Sequence, residues 1–390
     1  MLLFTGKCMA AVFTITILLH FLENYGMMKE IDMLEQIIQP LLTWYDTNHR
    51  TLPWRETKDP YHIWISEIML QQTRVEAVRP YFERFIEALP TIHDLAICQE
   101  ERLLKLWEGL GYYNRVRNMQ KAAVQIEKQY GGKLPADFEQ LRSLKGIGDY
   151  TAGAIASIAF ELPVPAVDGN VMRIWSRLVC CEEDILKDKV RKEAFRQLKE
   201  IMPAGRSGDL NQAFMDLGSM ICLPKGASRC EDCPLRFACQ AAGQGLVDIL
   251  PVRKKAKERR LEKRTILVVR DGDKVALHKR NDNGLLAGLY ELPGLEDYYD
   301  EKEILTYLKQ RHLMPLFIEK LEDAKHVFSH VEWHMQGFLI RVASLENMPT
   351  DDWIFADAKT AMQEYPLPAA FRAYASYVNI QLGAFRKTEM

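Results

Sequence analysis

The chain has 390 residues, which is long enough for two or three domains that each bury their own core. Its composition is typical of a soluble globular protein. The 51 Lys and Arg residues nearly balance the 53 Asp and Glu residues, so the net charge of −2 excludes recognition of a polyanion through overall charge. Any contact with nucleic acid must therefore depend on local basic surfaces.

The N-terminal region contains the most apolar run of the chain, "MAAVFTITILLHFL". This run is short for a bilayer-spanning helix, and no small-residue cleavage pattern follows it. We expect residues 1–27 to be a leader or start-site extension without ordered structure. A signal-peptide core and a short anchor helix are the alternatives.

Residues 28–245 are predicted to form an all-helical domain, because amphipathic segments such as "MLEQIIQPLLTWYD" alternate with Gly and Pro breaks. The run "PVRKKAKERRLEKR", with eight basic and two acidic residues, predicts a linker or exposed helix within residues 246–264. A solvated tether is favoured there over a DNA-binding segment. Beyond it, "TILVVRDGDKVALHKR" predicts a β-hairpin and "EKEILTYLKQ" a helix, so residues 265–390 are predicted to form an α+β domain.

Four of the eight cysteines crowd into one segment with the spacing C-x7-C-x2-C-x5-C. They are Cys222, Cys230, Cys233 and Cys239. Because no convincing export signal precedes them, four close thiols favour metal ligation over disulfides. A zinc ion and a four-iron cluster both accept four cysteine ligands, and the spacing does not decide between them.

Two short motifs carry further candidate residues. In "LKGIGDYTAG", Gly146 and Gly148 predict a turn that exposes backbone N–H groups at the start of a helix, where they can bind phosphate. In "VPAVDGNVMR", Asp168 lies between a proline-stiffened apolar stretch and a helix that begins near Asn170. Taken by itself, Asp168 is predicted to be the N-cap of that helix.

Glu67 is a carboxylate inside the apolar segment "IWISEIMLQQT". On a helix, its neighbours three and four positions away are Ile63, Trp64, Leu70 and Gln71. Burial among them would raise the pKa of Glu67, as an acid that keeps its proton near neutral pH requires. The alternative is a core residue in an ion pair with Arg74 or Arg115.

In this order, the segments "SEIMLQQT", "LKGIGDYTAG", "VDGNVMR" and the four-cysteine loop resemble the MutY-type adenine DNA glycosylases of the helix-hairpin-helix superfamily. The resemblance implies a multi-domain fold, in which an all-α helix-hairpin-helix core with a 4Fe-4S cluster is followed by an α+β Nudix-like domain. The implied substrate is adenine mispaired with 8-oxoguanine or guanine in double-stranded DNA. We expect a monomer that is cytoplasmic, nucleoid-associated and not bound to a membrane.

The resemblance also implies catalytic roles. Glu67 would protonate the flipped adenine, and Asp168 would stabilise the oxocarbenium-like sugar, either by its charge or by a transient covalent bond. Tyr150 and Asn170 match positions that support these two groups. In relatives that also cut the strand, a lysine stands at the position of Tyr150 and attacks the sugar, so this chain is predicted to be monofunctional.

Other matched positions contact DNA in the family, and the hairpin glycines are among them. Those that line the adenine pocket are Trp54, Arg55 and Gln212. Those that wedge into the duplex or lie close to 8-oxoguanine are Gln72, Thr73, Leu110 and Tyr112. In the C-terminal domain, the matched segment "VFSH" supplies Phe328, Ser329 and His330, of which Ser329 and His330 would read the damaged base.

The chain departs from the family pattern in two places. The first cysteine gap is one residue longer than usual, and "LEDYYDEKEILTYLKQ" lacks the acidic pairs with which Nudix hydrolases hold magnesium. The C-terminal domain is therefore predicted to be a recognition module. The alternatives are a nucleotide pyrophosphohydrolase, a non-catalytic lesion-binding protein, and a pyrimidine-lesion glycosylase and lyase.

Overall fold

A computed structural model describes residues 31–254, 258–344, 353–380 and 382. The predicted N-terminal leader, residues 1–27, lies outside the described residues. The chain divides into two compact units. The first unit combines residues 31–71 with residues 128–254, and the second combines residues 72–127 with the described residues from 258 onward.

Residues 31–254 contain helices and no β-strand, which confirms the predicted all-helical part. After a helical segment at residues 31–36, the helices are α1 (Ile38–Asn48), α2 (Pro60–Leu70), α3 (Val75–Ala88), α4 (Ile92–Ile97), α5 (Glu100–Leu106), α6 (Asn114–Tyr130), α7 (Phe138–Ser143), α8 (Asp149–Phe160), α9 (Gly169–Leu178), α10 (Asp188–Glu200), α11 (Ser207–Met220) and α12 (Gln240–Gly243). Helices α3–α5 and most of α6 belong to the second unit. None of the helices in the described part of the chain is long and apolar enough to cross a membrane.

Helix α8 lies in the core of the first unit and is buried from Thr151 to Ile158. Its small residues permit close packing: a Cβ atom at Gly153 would lie 2.4 Å from the carbonyl oxygen of Pro165. The same segment is held by the buried side chain of Asn211, which accepts a hydrogen bond from the Ala166 N–H (2.9 Å) and donates one to the Val164 carbonyl (2.9 Å). These contacts fix the backbone that leads into Asp168.

The second unit contains a seven-stranded mixed sheet. Its strands are β1 (Arg260–Asp271), β2 (Lys274–Lys279), β3 (Tyr290–Glu291), β4 (Gly294–Glu296), β5 (Pro315–Val327), β6 (Val331–Val342) and β7 (Trp353–Asp357). The order is β3-β2-β1-β6-β5, with β4 paired to β1 and β7 to β2, and only the β1–β6 pair is parallel among these. The helices of this part are α13 (Glu301–Gln310), α14 (Ala358–Glu364) and α15 (Arg372–Ala375). The predicted hairpin and helix are confirmed.

Both faces of the sheet are covered, which explains the continuous apolar run in β1. Ile266 and Val268 belong to a buried cluster that includes Tyr374, whereas Leu267 belongs to a separate cluster with Leu308 of α13. Alternate side chains of a strand point to opposite faces, so a strand buried on both sides has no polar positions in its centre.

Strand β1 begins earlier than the sequence predicts. Residues 260–264 were expected to belong to the basic linker, yet they pair with the start of β6. A cluster of side chains stabilises this early start of β1. Glu262 accepts hydrogen bonds from the Trp333 indole (2.9 Å) and from Arg264 (3.0 Å). The Arg264 guanidinium also stacks on Trp333, at 4.3 Å from the ring centroid. The charged residues at the end of the run are therefore part of the sheet.

Candidate active site

Glu67 occupies a buried position on helix α2. The helix begins at Pro60, where the Asp59 side chain accepts a hydrogen bond from the Tyr61 N–H (2.7 Å), and a proline at the first turn suits a helix start. Only 4% of the Glu67 surface is exposed. Burial raises the pKa of Glu67 to about 7, although a hydrogen bond from Tyr150 and the charge of Arg55 favour the carboxylate. Near neutral pH, a large fraction of Glu67 therefore carries its proton.

Tyr150 is the direct partner of Glu67. Its hydroxyl donates a hydrogen bond to Glu67 Oε2 at 2.5 Å from the first turn of α8. That helix follows the predicted glycine turn, in which Gly146 has a φ of +80° and Gly148 is the N-cap residue. Burial and the charges of Glu67 and Asp168 raise the pKa of Tyr150 well above its usual value, so its hydroxyl stays protonated and donates.

Asp168 is the N-cap of α9, as its sequence context predicts. Its Oδ1 accepts hydrogen bonds from the backbone N–H groups of Asn170 (2.8 Å) and Val171 (2.7 Å), and its Oδ2 accepts one from the Asn170 side chain (3.0 Å). Burial raises the pKa of Asp168, and these hydrogen bonds oppose the rise. Three donors favour the charged form of Asp168, so the two carboxyl groups have different electrostatic environments.

Arg173 orients Asn170. One guanidinium nitrogen, Nη2, donates to Asn170 Oδ1 (3.0 Å) and to the Gly218 carbonyl (2.7 Å), and Nε donates to the Cys222 carbonyl (2.9 Å). With its oxygen facing Arg173, the Asn170 amide must direct its N–H group to Asp168. A continuous series of hydrogen bonds therefore joins the first residue of the cysteine loop to Asp168.

Arg55 lies near Glu67 in a second part of the site. Its guanidinium forms a two-point contact with Asp216, and Arg50 binds the same carboxylate. Arg50, Arg55 and Gln212 line a cavity of about 340 Å³ in the first unit. Of the residues predicted to line the adenine pocket, Arg55 and Gln212 share this cavity, whereas Trp54 is a core residue with 4% of its surface exposed.

The four cysteines of the loop line one cavity. Arg177 stabilises the loop by donating to Cys222 Sγ (3.1 Å), to the Leu223 carbonyl (2.9 Å) and to Ser228 Oγ (2.9 Å). Among the described residues, no group of three or more His, Cys, Asp or Glu side chains is arranged so that it could hold a metal ion. Four thiols around one cavity have the chemistry to hold a metal centre, and both a zinc ion and a four-iron cluster accept four cysteine ligands.

The second unit contains the residues that were predicted to read the base opposite adenine. Tyr112 is half exposed, has a φ of +48°, and its hydroxyl lies 2.9 Å from Ser329 Oγ. Tyr112, Phe328, Ser329 and His330 line one cavity of about 560 Å³. Leu110 is buried, and Gln72 and Thr73 lie in the turn that precedes α3.

Arg115 supports the backbone beside Tyr112 from inside the protein. It donates to the carbonyls of Leu110 (3.0 Å) and Gly111 (3.2 Å), and its guanidinium lies 5.6 Å from the centroid of the Tyr112 ring. Burial lowers the pKa of Arg115 to about 10. One guanidinium nitrogen of Arg115, Nη2, therefore holds the backbone that leads into Tyr112.

Known families match both the helical part and the sheet-containing part of the chain. The family model for HhH-GPD superfamily base excision DNA repair proteins matches residues 65–200, and the NUDIX domain model matches residues 265–377. The adenine DNA glycosylase of Rattus norvegicus is 31% identical, over 90% of this chain and 80% of its own length. That of Buchnera aphidicola from Acyrthosiphon pisum is 35% identical, over 78% of this chain and 86% of its own length. The chain belongs to the adenine DNA glycosylase family.

As a member of this family, the protein is a DNA N-glycosylase of base excision repair. Among solved structures, a thermostable thymine-DNA glycosylase is 26% identical, with a TM-score of 0.50, over 55% of this chain and 98% of its own. The predicted fold class, a helix-hairpin-helix core followed by a Nudix-like domain, is confirmed. Membership of an enzyme family also argues against the non-catalytic lesion-binding alternative.

Several residues that position the groups of the candidate site were not predicted from the sequence. Arg173 lies three positions after Asn170, a helical spacing that could have suggested their contact. Asp216 and Asn211 lie far along the chain from the groups they hold, and no local pattern identifies those partners. Both residues are buried on α11, at positions where an apolar side chain is the usual choice.

Proposed function

We propose that this glycosylase removes adenine mispaired with 8-oxoguanine or guanine in double-stranded DNA. The names of its relatives support adenine as the base. The observation that carries the proposal is the contact between Glu67 and Tyr150: a buried carboxyl that keeps its proton near pH 7 is the acid that adenine release requires.

The reaction begins with adenine flipped out of the helix, because its glycosidic bond is inaccessible within the base stack. Glu67 protonates a ring nitrogen of the base, the bond between C1′ and the base breaks, and its electron pair leaves with adenine. The ionised Asp168 stabilises the positive charge on the sugar. Water then adds to C1′ and releases a proton, so the products are free adenine and an abasic site.

The enzyme is monofunctional in this proposal. Strand cleavage requires an amine that forms a Schiff base with C1′, and the position at which bifunctional relatives carry lysine is Tyr150. A phenol with a raised pKa that donates to Glu67 is a poor nucleophile. Residual strand cleavage would therefore be slow and incidental.

The base opposite adenine is read by the second unit in this proposal. Ser329 and His330 lie in the turn between β5 and β6, where the Phe328 N–H donates to the Val331 carbonyl at 2.8 Å. The Phe328 ring packs against Trp333, with 4.9 Å between ring centroids. A rigid turn that presents two hydrogen-bonding side chains suits recognition of a purine edge, and Tyr112 beside it suits stacking.

A 4Fe-4S cluster is the cofactor proposed for the cysteine loop. Cys222, Cys230, Cys233 and Cys239 would hold it, and Arg177 would donate a hydrogen bond to one ligand sulfur. When bound, the cluster would cross-link the loop and fix its position next to α9. No step of base release involves electron transfer, so its role here is structural.

The direct test is a duplex that contains one adenine opposite 8-oxoguanine, incubated with purified protein and then treated with alkali. We expect strand breaks at the adenine position only after alkali. Breaks without alkali would contradict monofunctional chemistry, and no breaks under either condition would contradict the proposed activity. Release of pyrophosphate from oxidised nucleoside triphosphates with magnesium would instead support the Nudix-hydrolase alternative.

A further inference from the structure

Asp216 forms a network of contacts that none of the roles above uses. Its side chain has no exposed surface. Arg55 binds it with two nitrogens, Nη1 to Oδ2 at 2.6 Å and Nη2 to Oδ1 at 3.0 Å. Arg50 adds its Nε at 2.7 Å and its backbone N–H at 3.1 Å. A carboxylate in a protein core is tolerated only with such partners, so this part of the core is built around one charge cluster.

Of the partners of Asp216, Arg55 was predicted to line the adenine pocket and Arg50 was not. Both arginines line the cavity that also includes Gln212, and the positive charge of Arg55 acts on Glu67 as well. The charge of Arg55 therefore acts on two carboxyl groups with opposite requirements. Asp216 must be ionised to hold it, whereas Glu67 must stay protonated to act as an acid.

We propose that Asp216 is a positioning residue of the glycosylase reaction, which fixes Arg50 and Arg55 at the cavity wall and neutralises positive charge that would otherwise draw the proton from Glu67. This inference rests on the proposed role of Glu67 as the acid. The charged and titratable groups that act on Glu67 are Tyr150 from α8, Arg55 from the turn before α2, and Asp168 from the start of α9. Asp216 acts on Glu67 through Arg55.

The sign of the effect follows from Coulomb's law. Burial alone would raise the pKa of Asp216, but hydrogen bonds and charges from Arg55 and Arg50 lower it, so Asp216 is an anion at neutral pH. Removing that anion leaves the charge of Arg55 uncompensated and favours the carboxylate form of Glu67. Removing Arg55 has the opposite effect, because a charge that stabilises the carboxylate is lost.

The experiment measures the single-turnover rate of adenine release as a function of pH, with protein in saturating excess so that weaker DNA binding does not affect the result. The variants are Asp216→Asn, Arg55→Met and the double variant. We expect the alkaline limb of the profile to move down by about one pH unit in Asp216→Asn and up in Arg55→Met. In the double variant it should return toward the wild-type position. Glu183→Gln removes an exposed carboxylate paired with Lys187 and is the matched control.

Unmoved limbs in folded single variants would overturn the proposal and leave Asp216 a purely structural residue. Thermal melting monitored by circular dichroism establishes folding. If Asp216→Asn does not fold, Arg55→Met alone decides, because Asp216 in that variant still has Arg50 as a partner. An upward shift of its alkaline limb supports the proposal, and an unmoved limb overturns it. Failure of the proposed function is a distinct result, since wild-type protein would then release no adenine at any pH.

Discussion

The hydroxyl of Tyr150 donates a hydrogen bond to Oε2 of Glu67 across 2.5 Å. Glu67 is buried and Tyr150 is partly buried, and the charge-assisted bond favours the carboxylate form of Glu67. Tyr150 therefore limits how far burial raises the pKa of its partner.

Tyr150→Phe tests this contact. Loss of the hydrogen bond should raise the pKa of Glu67, so the alkaline limb of the excision profile should move to higher pH while adenine release continues. Single-turnover rates across the pH range measure the shift. Tyr130→Phe, at the end of α6, is the control. A limb that moves to lower pH would contradict the assignment.

Arg173 is the next residue to test, because it is the donor that orients Asn170 and also binds the backbone of Cys222. Arg173→Lys retains one charge but cannot reproduce three hydrogen bonds with the same geometry. We expect the single-turnover rate to fall roughly tenfold, about 1.4 kcal/mol in the activation barrier, because Asn170 is no longer fixed against Asp168. Arg196→Lys, on the surface of α10, is the control, and equal rates for both variants would refute the positioning role.

Asn211 should contribute to stability rather than to chemistry. It satisfies buried polar groups on Ala166, Val164 and Ser157. Asn211→Ala leaves these groups without their partner and should lower the free energy of unfolding by about 3 kcal/mol. Chemical denaturation measures this change. The exposed Gln39→Ala is the control, and a loss as small as that of the control would show that water replaces the missing contacts.

The helical core, the hairpin and the sheet follow from local patterns in the sequence. Gly146 marks the turn, the segment around Asp168 marks a helix start, and the continuous apolar run of β1 marks a strand that is buried on both faces. The start of β1 at Arg260 could not be predicted from local sequence. The charged residues at the start of the strand pair with β6, and Glu262 among them is bound by Trp333, which lies far along the chain. The partners of Glu67 were likewise not predictable from local sequence: its nearest helical neighbours are apolar, whereas Tyr150 approaches from another helix.

The cysteine loop should bind iron. Purified protein is expected to be brown, with visible absorbance from thiolate-to-iron charge transfer and about four iron atoms per chain by metal analysis. Cys233→Ser should lose most of this absorbance, whereas Cys98→Ser, which lies outside the loop, should retain it. Zinc in place of iron would contradict the cluster assignment.

Ser329 should affect the choice of the opposite base more than the chemistry itself. Its hydroxyl lies 2.9 Å from that of Tyr112, at the edge of the reading cavity. Ser329→Ala should reduce the preference for adenine opposite 8-oxoguanine over adenine opposite guanine, with Ser376→Ala as the control. Rates measured side by side on the two duplexes give this ratio, and an unchanged ratio would exclude Ser329 from recognition.

The most direct test of the account is adenine release by Glu67→Gln, measured together with its affinity for duplex DNA containing adenine opposite 8-oxoguanine. Glutamine has nearly the same shape and can accept the hydrogen bond from Tyr150, but it carries no acidic proton. We predict that adenine release becomes undetectable while DNA affinity remains within a few-fold of the wild-type value. Adenine release at the wild-type rate would contradict the account, and loss of both binding and folding would mean that Glu67 is a structural residue.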